Sequence, residues 1–152
     1  MGRDTVLWHY TTLDCFRQID QDGEIRPATA HVPEDERPIA WFTKNSKWEP
    51  TATKGMVLVN GVRRVATLAE MAPLVRIGVV EDRERLHPWV RLEKLANMSS
   101  RTARDLERTA SRVGSNPGDW WGAFSPIARS SWFAVEVSHD GLIWTALKLG
   151  SG

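Results

Sequence analysis

The chain has 152 residues, 41% hydrophobic and 26% charged, a length and balance that suit one hydrophobic core and exclude a disordered polypeptide. Twenty Lys and Arg offset nineteen Asp and Glu, so the formal charge of +1 supplies no global field toward nucleic acid or an anionic membrane. Cys15 is the only cysteine, which excludes an intrachain disulfide framework and the small stapled scaffolds of secreted proteins.

The opening segment MGRDTVLWHYTT has no long apolar run behind a basic stretch, and nowhere do eighteen apolar residues follow one another. The expectation is a cytoplasmic protein without a membrane span. TVLWHY, residues 5–10, is β-branched and aromatic and predicts a first strand. Thr12 is placed to cap a following helix, with Asp14 in its first turn, an apolar stripe at Leu13, Phe16 and Ile19, and Gly23 as its stop. Residues 27–38 form a proline-punctuated polar loop. IAWFT, 39–43, predicts a second strand that empties into a turn at Asn45 and Ser46.

Residues 56–59 and 62–65 predict a hairpin around Asn60-Gly61, and Thr67 with Glu70 has the spacing of a capping box ahead of a short helix. A strand over 75–80 follows, then a helix over 89–97. The clearest helix begins at Ser99 or Ser100, carries Ala103, Leu106, Ala110 and Val113 on one face, and ends at Gly114. Strands over 132–137 and 142–149 flank a turn at His139-Asp140-Gly141. This order predicts one α+β domain over 1–149, with a mixed, mostly antiparallel sheet, a few helices and a flexible tail at 150–152.

Eight tryptophans are several times ordinary usage, and the indole's size and N–H group imply that some line a cleft while others build core. Fifteen of the twenty cations are Arg, whose planar fork suits phosphate and carboxylate. The four His, at 9, 31, 87 and 139, show no pair at ligand spacing, so no metal site is expected. Cys15 near a helix start reads as a small buried hydrophobe rather than a nucleophile. On a regular strand His9 and Tyr10 face opposite ways, a limit that a strand end relaxes. Glu136 lies in the apolar strand WFAVEV, where alternation puts it on one face with Trp132 and Ala134. A carboxylate there calls for a partner, with Arg76 and Arg129 as candidates.

LWHYTT, the helix with its exit glycine, and IAWFT together resemble the opening of the ADP-ribosyltransferase-like fold. The resemblance covers roughly the first third of the chain and implies NAD as substrate. It casts His9 as the ribose contact, Tyr10, Thr11 and Thr43 as neighbouring contacts, Trp41 or Phe42 as a nicotinamide wall, and Glu136 as the catalytic acid. Arg76 or Arg129 would clamp the pyrophosphate. Ala134 stands two positions before Glu136, where arginine-modifying members carry an acid or glutamine. The resemblance therefore favours another protein or nucleic-acid acceptor, or simple NAD hydrolysis, in a toxin, phage or defence component. The rival expectation is a non-catalytic module whose Trp and Arg residues grip a protein or nucleobase. A nuclease using His9 with His87 or His139, or an RNA 2′-phosphotransferase, ranks lower because the basic residues such sites need are not found.

Overall fold

A computed structural model describes residues 5–29, 32–52, 56–65 and 67–147. The tail expected at 150–152 lies outside them, as does His31. Local signals set most element ends. Strand β1 (Val6–Thr12) passes directly into α1 (Leu13–Asp22), where the Thr12 hydroxyl accepts from the Cys15 N–H at 3.2 Å. Gly23, at φ 72°, turns left-handed and returns its N–H to the last carbonyls of the helix. A short β2 (Glu24–Ile25) precedes β3 (Ala40–Thr43). The hairpin of β4 (Met56–Val59) and β5 (Val62–Val65) turns through Asn60 and Gly61, both at positive φ as such a turn requires.

The predicted capping box forms between Thr67 and Glu70 at the head of α2 (Leu68–Met71). Beyond it run β6 (Leu74–Val80), β7 (His87–Pro88), α3 (Trp89–Leu95) and α4 (Ser100–Val113), the last capped by Ser99. The chain continues through β8 (Trp120–Ala123), β9 (Ile127–Ala128), β10 (Trp132–Ser138) and β11 (Thr145–Ala146).

Seven strands join in the order β11-β10-β6-β1-β3-β8-β7, with every neighbouring pair antiparallel. The fold is α+β. One sheet face carries Leu7, Val75, Ile77 and Val79 against Phe16 of α1, together with Phe42 and Trp121. Full burial of side chains such as Leu7 and Ile77 contributes about 1.5–3 kcal/mol each. On the other face Ile39 and Trp120 pack against Trp89 and Leu92 of α3 and Ala103 and Ala110 of α4. Gly122 lets this packing close, since a Cβ there would lie 2.5 Å from Ile39 Cγ2.

Four expectations change. A register shift between Trp132 and Ala134 inserts a bulge in β10, so Trp132 packs toward Phe16 in the first core while Phe133 meets Trp8 on the opposite face. Trp132 and Glu136 therefore do not share a face. Cys15 is exposed rather than buried. Val113 is also exposed, because the helix buries mainly the narrow line of Ala103 and Ala110. In the closing strand the ladder is confined to Thr145–Ala146: Asp140 Oδ1 captures the Leu142 and Ile143 N–H groups, which holds those residues in the turn, and residues 148–149 lie outside the described set.

Candidate functional site

The sheet opens between β1 and β3. Their ladder is confined to Trp8 opposite Thr43, whereas β1 pairs with β6 along all seven residues. One step into the gap, the His9 imidazole takes the place of the missing backbone bonds, with Nδ1 2.7 Å from the Trp41 carbonyl. A carbonyl can only accept, so Nδ1 carries the proton, and in the neutral ring Nε2 is then the acceptor. β1 keeps its alternation, Trp8 and Tyr10 packing in one cluster while His9 meets Phe42 of the other, and the gap between the strands is bordered from both faces, so His9 and Tyr10 both line the cavity that it opens.

That cavity, of about 440 Å³, takes Trp8, His9 and Tyr10 from β1 and Trp41, Phe42 and Thr43 from β3. Leu106 and Thr109 of α4 contribute to the lining as well. Trp41 is braced by two further indoles, the first of which also lines the cavity: its ring lies 5.9 Å from Trp120 and 6.1 Å from Trp89, and those two meet edge-on at 5.2 Å. Among the charged side chains, Glu49 and Arg26 reach the lining. Glu49 is only 7% exposed. Its Oε1 accepts from the Thr51 N–H at 3.2 Å, the Thr51 hydroxyl at 2.6 Å and the Ser115 hydroxyl, and Ser115 in turn accepts from the Trp120 indole N–H. Arg26 is largely exposed and sits within 4 Å of Asp22 and Glu24.

Tyr10, Arg76 and Glu136 stand in a row across β1, β6 and β10, directly opposite one another. Glu136 Oε1 accepts from Arg76 Nε and lies 2.7 Å from its Nη2, so Arg76 is the partner its surroundings demanded. The guanidinium lies over two indoles, 4.1 Å from the Trp8 ring centre and 4.6 Å from that of Trp144, and Nη1 donates to the Ser46 carbonyl. Tyr10 donates to the neighbouring Asn45 carbonyl at 2.6 Å. Burial pushes the Tyr10 phenol up to about 12; Arg76 pulls it down in part, and the charges of Glu49 and Glu136 add to the rise.

Five of the nine expected site residues, His9, Tyr10, Trp41, Phe42 and Thr43, thus share one cavity. Glu136 and Arg76 engage each other two and one strands away and are not in its lining. Thr11 also lies outside it. Arg129 is committed elsewhere, 2.9 Å from Asp20 of α1 and hydrogen-bonded to the Asp20 carbonyl. Neither Glu49 nor Arg26 was among the site residues expected from the sequence. The signal was an acid between Trp48 and Pro50 just after an aromatic strand, a setting that favours burial. Among the described residues no three His, Cys, Asp or Glu side chains cluster as metal ligands, and no helix is long and apolar enough to cross a membrane. No family model, curated protein or solved structure matches the chain.

Proposed function

We propose that the chain is an ADP-ribosyltransferase-like enzyme that uses NAD as its substrate, either transferring ADP-ribose to a protein or nucleic-acid acceptor or hydrolysing NAD. The carrying observation is the fork between β1 and β3, where a first-strand His bridges to an aromatic second strand over a cavity walled by Trp8, Trp41 and Phe42. A planar pyridine ring fits between such faces, and the Nε2 of His9 is of the right character to accept from a ribose hydroxyl. Bond cleavage places positive charge on the ribose while the electron pair leaves with nicotinamide, and apolar walls that exclude water strengthen any carboxylate acting on that charge. Arg26 is the cation among the described residues lining the cavity and would meet the pyrophosphate. Glu136 bears on the substrate indirectly in this reading, through Arg76 and the loop that Arg76 holds. Ala134 argues against an arginine acceptor. A role as a toxin, phage or defence component is consistent with this chemistry.

The second reading, a non-catalytic module for a nucleobase or peptide, is favoured by the engagement of Glu136 with Arg76. Incubating the purified protein with NAD separates them. The enzymatic reading expects release of free nicotinamide and a raised melting temperature on adding NAD. A melting shift without release favours the module, and neither response with any acceptor overturns the enzymatic proposal.

A further inference from the structure

We propose that Glu49 is the specificity-determining acceptor of the cavity, selecting a planar ring that bears a neutral N–H donor, such as a carboxamide or exocyclic amine, over the same ring bearing a carboxylate. The inference rests on reading the cavity as a site for a flat heteroaromatic ligand. Three observations on the residue itself carry it.

First, Glu49 is the acid among the described residues lining the cavity, and it is buried. Second, all three of its hydrogen bonds among the described residues converge on Oε1. Oε2 is thereby the oxygen that a ligand donor can meet, and the carboxylate plane is fixed before any ligand arrives. Third, the fixing groups are themselves fixed: Ser115 is held by Trp120, whose ring braces the Trp41 wall, so acceptor and aromatic face keep a set spacing.

A ring seated against Trp41 with an amide N–H directed at Oε2 satisfies that oxygen. The corresponding acid brings a second negative charge to the same point in surroundings that screen poorly, where like charges repel strongly. Arg26 does not cancel this repulsion, because its side chain is 61% exposed and already close to two acids. Sites that hydrogen-bond a ligand donor reject analogues lacking it far more sharply than apolar pockets reject a change of size.

Nicotinamide and nicotinate are the probes, titrated separately into the full chain by calorimetry with tryptophan fluorescence as a second readout. The expected result is at least a tenfold preference for nicotinamide, with Glu49→Gln bringing the two within about threefold through a gain for nicotinate. Equal affinities in the wild type, or a preference that survives Glu49→Gln, overturn the assignment of Glu49 while leaving the cavity as a pyridine site. Binding of neither ring to the wild type overturns the reading of the cavity and this proposal together. If Glu49→Gln fails to fold, Glu49→Asp, which keeps the charge but withdraws it by one methylene, is expected to lower the preference; an unchanged preference overturns the proposal.

Discussion

Strand β1 divides two regions built from the same materials. On the β6 side, Trp8, Trp144, Arg76 and Glu136 make a closed unit in which the cation lies over two indole rings and is met by the acid. On the β3 side, Trp41, Trp120, His9 and Glu49 surround a hollow. Indole rings and one carboxylate occur in both, so composition does not separate a structural cluster from a binding site. The difference lies in what satisfies the acid. Glu136 Oε1 faces a guanidinium with two nitrogens at 2.7 Å, whereas the donors to Glu49 are neutral. A charge already matched is part of the framework; one held in place by neutral donors is prepared for something else.

The largest test of this contrast is Arg76→Ala. It strips Glu136 of its counter-charge and both indoles of their cation, and a loss of about 3 kcal/mol is expected. Thermal unfolding would register this as a fall of roughly 10 °C for a chain of this size. A melting temperature within a degree of wild type would dissolve the contrast, because the closed region would then be no more structural than the open one.

Tyr10 supplies an intermediate test from between the two regions. It is the only tyrosine, so the ultraviolet difference spectrum of the phenolate reports its ionisation with no other phenol contributing. The phenol is raised from 10.0 to about 12, chiefly by burial. A group raised in the folded state contributes fully below its unfolded value and loses that contribution as pH climbs through the folded one. Stability is therefore expected to hold up to pH 10 and fall between 10 and about 12, together with the absorbance change. A midpoint near 10 would mean that Tyr10 is open to water and the cluster around it loose.

The smallest effect belongs to Glu49→Gln. Glutamine retains an oxygen to accept from Thr51 and Ser115, so denaturant titration should show a change under about 1 kcal/mol. A cost comparable to that of Arg76→Ala would make Glu49 a framework residue and erase the distinction.

Elements whose ends depend on near neighbours were legible in the residues. Thr12 and Gly23 delimit α1, Asn60-Gly61 turns a hairpin, and Thr67 with Glu70 starts α2 because each signal acts within three or four positions. The aromatic half of the cavity was legible for the same reason, since His9 and Trp41 each sit in a short strand with clear composition. What escaped is set by distant pairing. The bulge in β10 comes from its fit to β6 and reverses the face of Trp132, which no alternation rule within WFAVEV foretells. Strands β7 and β8 hold mixed, short stretches that become strands by pairing with each other and with β3. Glu49 gained its setting from Ser115, sixty-six positions along the chain.

The loop between β3 and Glu49 is moored on its far side: Tyr10 holds Asn45 and Arg76 holds Ser46, while the Asn45 side chain ties back to the Trp48 carbonyl at 2.7 Å. The loop leading to the acid in the hollow is thus held in part by a cation outside the hollow's lining. Disturbing Arg76 or Glu136 would shift the ligand contacts through this tether, and a survey by activity alone would enrol both among the reacting groups. Their influence is that of a hawser on a ship's berth, felt where the cargo is handled though made fast elsewhere.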